Sequence, residues 1–453
     1  PNRLEEGYGL NKIAVEGIAK QNYNLMITVD CGISAIEEVK YAKELGLEVI
    51  VTDHHETGEE IPDAIAVVDA KRKDNQYPCR NLAGVGVVFK LIQAISKKLN
   101  IDEKEHLKYL DIVCIGTISD IVPLVDENRV IVKLGLKLLQ QTHNIGLRTI
   151  LAASGYNKID SSTISFGVAP RINACGRMGH QEEALKLFLS KDIKEVNQLA
   201  QSLNEYNKQR QEKEKNIFLE AIQKIEQNEL DKKSIMIIDG EGWHHGVIGI
   251  VSSKITEMYF KPSILLCFEG EEAKGSGRSI PGFDLHDALQ KCSNNLYKFG
   301  GHSMAVGLTV KKEKYEELKQ QLEEIAQEQK IDKIVPILKI DAQVDINEIS
   351  KEIVESLKEM EPFGEENKTP LFMFKNLKID SIRALSEGKH IKLTLKKDAG
   401  NIIGAIGFNM GSLVNDYCIG DKVDIVGTLE INAFNGEESL QIVLKDIMKS
   451  IEN

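Results

Sequence analysis

Asp53, His54 and His55 stand together at the end of the apolar run 47–52, and Asp30 ends an earlier apolar run, 25–29. Carboxylates and imidazoles meeting at one place suit a divalent transition metal such as manganese. Each run has the length and composition of a buried parallel strand. Between them, residues 34–45 are polar and apolar at helical spacing, and Gly46 stops the pattern. One strand–helix–strand unit therefore places Asp30 beside Asp53, His54 and His55 on one rim of a sheet. That rim is where open α/β sheets bind ligands. Each residue alone has a plainer reading: Asp30 as the N-cap of the following helix, a single His as ordinary surface. Two adjacent His after an Asp, matched by a second strand-end Asp one unit earlier, favour the metal.

The surrounding elements are those needed to hold such a rim. A third strand, 64–68, ends in Asp69, and helical segments follow at 85–99, 106–119 and 130–141. This predicts a sheet with helices on both faces. Residues 181–230 are rich in Glu, Lys, Gln and Leu without Pro or Gly, as in long helices bridging two domains. A dimerising coiled coil is the alternative, but the heptad pattern is poor. A second α/β domain follows, with strands at 235–238 and 263–268 around a helix at 246–259. From about Pro336 short β runs separated by turns (390–395, 402–408, 422–427, 440–444) fit a small five-stranded barrel of the OB type.

At 453 residues the chain is long enough for about three domains. Its 42% hydrophobic and 28% charged content are those of a soluble globular protein, and no apolar stretch approaches a membrane span. Seven Cys are scattered without a C-x-x-C pair, which places the chain in a reducing, cytoplasmic compartment. The net charge of -12 argues against a non-specific nucleic-acid coat but leaves room for a nuclease, in which only the groove must be positive. The segment 1–9 reads as a loop entering a helix, as from the middle of a fold.

Further candidates lie outside the first rim. Asp120 closes an apolar helix before Pro123 and needs a partner, an ion or a capping role. The stretch 170–179 reads as a Gly-containing loop with Arg171, Asn173 and Arg177, whose guanidinium forks suit phosphate; a basic linker packed on carboxylates is the alternative. Residues 275–279 read as a Gly-Ser turn carrying Ser276 and Arg278. Residues 300–305 read as a flexible turn with Gly301, His302 and a helix start. The pair His244-His245 lacks carboxylate neighbours in sequence, so substrate contact or a structural role is preferred to metal.

Together, Val29-Asp30-Cys31-Gly32, Thr52-Asp53-His54-His55, Gly116–Asp120, Arg171–Arg177, His244–Gly249, Gly275–Ser279 and Gly300–His302 resemble the DHH phosphoesterase superfamily, in order and over essentially the whole chain. The resemblance implies a parallel-sheet DHH domain (1–180), connecting helices (181–231), a DHHA1-type substrate-binding domain (232–330) and an OB-like nucleic-acid-binding domain (336–453). It implies metal-dependent 5′→3′ exonuclease activity on single-stranded DNA in repair and recombination, with release of 5′-mononucleotides. Two Mn2+ or Mg2+ ions would bind in the intact protein, with Asp30, His54 and Asp120 as ligands. His55 would touch the scissile phosphate, and Asp53 would orient the imidazoles. Arg171, Asn173, Arg177, Ser276, Arg278, Gly301 and His302 would hold the strand. A single-strand-binding protein and a helicase are the expected protein partners, and no membrane. The family's Asp-x-Asp strand would precede Pro1, so the chain as given is expected to bind metal weakly. The alternatives are a DHH-type phosphodiesterase acting on short oligonucleotides or cyclic dinucleotides, and a non-catalytic binding module.

Overall fold

The computed structural model describes residues 9–397, 400–434 and 436–451; positions 1–8 of the opening segment lie outside them. The chain divides into two compact units. One holds the residues up to Ser119 together with Gly135–Pro336; the other holds Asp120–Leu134 with Ile337–Asn453.

In the first unit, α1 (Lys12–Ala19), β1 (Leu25–Val29), α2 (Ile36–Glu44), β2 (Glu48–Asp53) and β3 (Ala66–Asp69) build a three-stranded parallel sheet in the order β1-β2-β3. Val29 pairs with Thr52 and Asp53 with Asp69, so all strands end on the same side. Met26, Val49 and Val51 pack with Val15 of α1 and with Val39 and Ala42 of α2. The expectation of a fully buried first strand is corrected: Leu25, Ile27 and Val29 are each about half exposed on the opposite face. Helices α3 (Gly84–Lys98), α4 (Lys104–Leu107), α5 (Leu110–Ser119), α6 (Asp126–Leu139) and α7 (Ile145–Ser154) follow. A short π-helix (Thr163–Val168) leads into α8 (Ala169–Arg177), and α9 (Gln181–Leu189) comes next.

The 35-residue α10 (Ile193–Gln227) is roughly 50 Å long. Its first half buries Val196, Ala200 and Leu203 beside α7, α8 and α9. Its second half buries Ile217, Ala221 and Ile225 against β4 (Met236–Glu241) and α11 (His245–Tyr259). The buried Glu214 accepts from Arg210 and pairs with Lys254 of α11, pinning the two helices together. The buried apolar positions of α10 are thus taken up by packing within the chain.

The second sheet has the order β4-β5-β6-β8-β7, with β5 (Ser263–Glu269), β6 (Glu272–Arg278), β7 (Lys298–His302) and β8 (Ala305–Lys311). Only β4 and β5 are parallel. One face packs on α10 and α11; the other packs on α12 (Leu285–Lys291) and α13 (Tyr315–Glu328). Both α/β segments lie in the first compact unit.

In the second unit, β9 (Ala342–Gln343) and α14 (Lys351–Leu357) precede β10 (Phe372–Leu385), β11 (His390–Lys396), β12 (Ile402–Gly407), β13 (Lys422–Phe434) and β14 (Glu437–Lys449). Pairings β10–β11–β12–β14–β13–β10 close a five-stranded barrel around Phe374, Leu393, Ile403, Ile425 and Ile442. Residues 120–134 join it through the Leu124 N–H, which donates to the Glu365 carbonyl at 2.8 Å.

Candidate functional site

The carboxyl ends of β1 and β2 form the first half of the site. The Asp30 N–H donates to the Thr52 carbonyl at 3.0 Å, then the backbone turns sharply, with Asp30 at φ 62°. Asp30 is therefore not a helix cap; α2 starts after Ala35. His54 is buried, with Nε2 3.0 Å from Asp30 Oδ1. Ligand atoms of Asp30, His54 and His55 all lie within 4.8 Å of one another. One carboxylate and two imidazoles at that spacing fit a divalent metal.

Asp53, 1% exposed, organises this cluster. Its Oδ2 accepts the Ile33 N–H at 2.9 Å, and its Oδ1 accepts the His54 N–H at 2.8 Å and lies 2.6 Å from His55 Nδ1. A carboxylate there makes Nδ1 the protonated nitrogen, which leaves Nε2 of neutral His55 with a lone pair for a cation. Burial opposes the Asp53 charge, but the bonds from His55, Ile33 and His54 outweigh it, so its carboxyl sits below the ordinary range. Its register partner Asp69 behaves oppositely. Asp69 is 3% exposed, and burial, with the nearby Asp53 charge adding, pushes its carboxyl up despite the Lys71 N–H at 2.8 Å.

Gly84 was missed by sequence reasoning. A Cβ there would stand 2.2 Å from Asp30 Oδ1, so only glycine lets the start of α3 come this close to the carboxylate. The 15-residue helix then points its positive end toward Asp30. The run Leu82-Ala83-Gly84-Val85-Gly86, glycine at a helix start, was the available signal.

A second group of candidate residues is on β6. The predicted Gly-Ser turn is a strand: Ser276 and Arg278 project toward α11, while Gly275 and Gly277 pack against Leu266, Leu308, Leu285 and Val306. Arg278 donates only to Ser276 Oγ at 3.2 Å and to the Gly277 carbonyl at 2.8 Å. Burial alone lowers its basicity, and no carboxylate pairs with it among the described residues. A half-buried guanidinium with no acid beside it is suited to an anion. Gly249 of α11 permits the approach, since a Cβ there would lie 2.8 Å from Ser276 Oγ.

Cross-strand register extends this face. Arg278, Ala305 and His302 form one row; Ser276, Gly307 and Gly300 form the next. Cβ positions of Gly300 and Gly307 meet nothing within 4 Å, so the floor beside Ser276 is open. The expected turn and helix start at 300–305 are instead the β7–β8 hairpin. Gly301 closes it at φ 132°, where a Cβ would strike the Ala305 carbonyl. His302 is exposed at its end.

The stretch 170–179 is helix α8 over most of its length, not a loop. Arg171 is directed inward, donating to Asn204 and to the carbonyls of Gly167 and Ala153. Asn173 is exposed, and Arg177, one turn further, donates through Nη1 to the Gly246 carbonyl at 2.7 Å, at the start of α11. His244 caps α11, its Nδ1 accepting the Gly246 N–H at 3.2 Å. Asp120 follows α5, is exposed and belongs to the second unit. His55, expected at the scissile phosphate, lies with Asp30 and His54 in the described cluster.

A rim of Asp and paired His beside a second α/β sheet, followed by an OB barrel, defines a DHH-type protein. Family models agree: the DHH family N-terminal domain matches residues 2–117, the DHHA1 domain residues 232–328 and the RecJ OB domain residues 340–446. The chain is 39% identical to the single-stranded-DNA-specific exonuclease RecJ of Bacillus subtilis, over 98% of this chain and 56% of that one. It is 33% identical to the protein of that name from Salmonella typhimurium, over 99% of this chain and 81% of the other. The crystal structure of RecJ in complex with Mn2+ from Thermus thermophilus superimposes with a TM-score of 0.86 at 29% identity, covering 98% of this chain and 64% of that one. The chain belongs to the RecJ family, and it spans just over half the length of the Bacillus relative.

Proposed function

We propose that the chain carries the catalytic core of a metal-dependent exonuclease that degrades single-stranded DNA from its 5′ end and releases 5′-mononucleotides. The observation that carries this reading is a pairing within one compact unit: the Asp30–His54–His55 cluster, and the half-buried Arg278 beside Ser276, with no carboxylate paired to it among the described residues. Asp30, His54 and His55 would hold Mn2+ or Mg2+. Such an ion polarises a phosphate oxygen and makes a bound water more acidic. Asp53 keeps His55 Nε2 free of its proton and aimed at the cluster. Arg278 and Ser276 take a terminal phosphate, His302 stands at the far end of the Arg278 row, and the open glycine row admits an extended backbone. Arg177, with Asn173 on the same helix face, borders the start of α11. Arg171 holds the helices behind them. The relatives' names and family membership support the choice of single-stranded DNA over short oligonucleotides or cyclic dinucleotides.

A helicase and a single-strand-binding protein are the matching partners, because one makes and the other covers the strand such an enzyme consumes. None of the seven cysteines forms a disulfide among the described residues, in keeping with a cytoplasmic setting. No helix among the described residues is long and apolar enough to cross a membrane. The test is manganese-dependent release of mononucleotides from a 5′-phosphorylated single strand, run beside a 3′-phosphorylated strand, a duplex and a dinucleotide. Loss from the 5′ end of the single strand alone is expected. Cleavage of the dinucleotide only would overturn the reading.

A further inference from the structure

Helix α8 ends in a turn that is tied to two other helices. Arg177 is its last residue and Gly179 follows at φ 84°. The His180 N–H then donates back to the Cys175 carbonyl at 2.7 Å, closing the helix through a left-handed glycine. As α9 begins, the Glu183 N–H donates to the His180 carbonyl at 3.0 Å. The His180 ring lies face to face with Tyr206 of α10, with centroids 4.3 Å apart and planes 5° from parallel. The Tyr206 hydroxyl donates to Glu183 Oε1 at 2.8 Å, and the same oxygen lies 3.5 Å from His180 Nδ1. Three side chains thus clamp the turn onto α9 and α10.

Core packing does not account for this clamp. The His180 side chain is 46% exposed, so the stack removes little surface from water. What it fixes is the direction in which α8 ends, and that direction matters at Arg177. Arg177 Nη1 donates to the Gly246 carbonyl at 2.7 Å. A Cβ on Gly246 would come within 3.0 Å of the Arg177 carbonyl, so glycine lets the end of α8 meet the start of α11 at two points. Further along α11, a Cβ on Gly249 would lie 2.8 Å from Ser276 Oγ and 3.3 Å from Arg278 Nη2. Close-packed elements have little slack, so a shift at the end of α8 reaches α11 and the face of β6.

We propose that His180, Tyr206 and Glu183 are positioning residues for the 5′-phosphate of the strand: their clamp sets the end of α8, and through it Arg177 and α11. This rests on the reading that Arg278 and Ser276 take a terminal phosphate. The three residues act through Arg177, not by contact with the strand.

The test uses the full chain in EDTA. It compares binding of a 5′-phosphorylated single strand with that of the same strand bearing a 5′-hydroxyl. His180→Ala is expected to lower the ratio of the two affinities about 2- to 12-fold, the worth of an aromatic pair. His180→Phe keeps a ring on Tyr206 and is expected to restore the ratio. In an Arg177→Ala background, His180→Ala is expected to change the ratio no further, because residues that act as a unit are not additive. A merely structural clamp would weaken both strands equally and lower the melting temperature, leaving the ratio unmoved. An unmoved ratio in His180→Ala, no recovery in His180→Phe, or an equal further loss in the Arg177→Ala background overturns the proposal. A parent chain without preference for the 5′-phosphate overturns instead the reading beneath it.

Discussion

In the sheet β1–β2–β3 every candidate chemical group stands at a strand end: Asp53 is the last paired residue of β2, and Asp30, His54 and His55 directly follow the last paired residues. In β6–β8–β7 the groups stand on a face: Ser276 and Arg278 within one strand, with Gly307, Gly300 and His302 opposite them in register. The difference follows from strand direction. Parallel strands all finish on one side, so a rim collects their terminal residues. Antiparallel strands finish on alternate sides, so only a row across the sheet can collect several. The rim therefore suits a compact cluster that grips an ion, and the face suits an extended chain laid across it.

The largest effect expected from this contrast is at the rim. His54→Ala should reduce metal-dependent cleavage to background while single-strand binding in EDTA persists; loss of both together would break the division of labour. On the face, Arg278→Ala should weaken binding of a 5′-phosphorylated strand by about 10- to 150-fold, the worth of one charged hydrogen bond. A strand with a 5′-hydroxyl should lose far less, and equal loss for both strands would remove Arg278 from the terminal phosphate. Asp53→Asn should reduce manganese affinity, read by calorimetry, by about 10- to 100-fold. An amide cannot accept from His55, His54 and Ile33 at once.

The smallest effect concerns Asp69, which shares the rim without joining the cluster. Its carboxyl is raised by burial, so its ionised form is less stable in the folded chain than in the unfolded one. Its contribution is intact below the unfolded value of about 4 and is lost as pH rises through the folded value. Asp69→Asn should therefore raise the melting temperature by about 1–3 °C at pH 7 and leave it unchanged near pH 3. A gain that persisted at pH 3 would mean that packing, not charge, is responsible.

The rim was legible because its residues interrupt long apolar runs, and an acid or imidazole at such a break stands out. The barrel strands at 390–395 and 402–408 were legible as short β runs separated by turns. The face was misread for a local reason. Glycines at 275, 277, 300 and 301 read as turns, yet the first two pack on core side chains and Gly300 forms part of an open floor. Arg171 and Arg177 looked alike in sequence; six residues on a helix turn them toward different neighbours, one into Asn204 and the helix carbonyls, the other toward α11.

By itself, then, the sequence determined the kinds of element, their order and the chemical types at the ends of the apolar runs, because burial and helical spacing are local demands. Tertiary structure alone decided that His55 stands with Asp30 and His54, that Gly84 brings a helix end to Asp30, and that Arg278 is half-buried with no carboxylate paired to it among the described residues. Each of those depends on a distance between residues far apart in the chain, which hydrophobic periodicity does not encode and which packing sets.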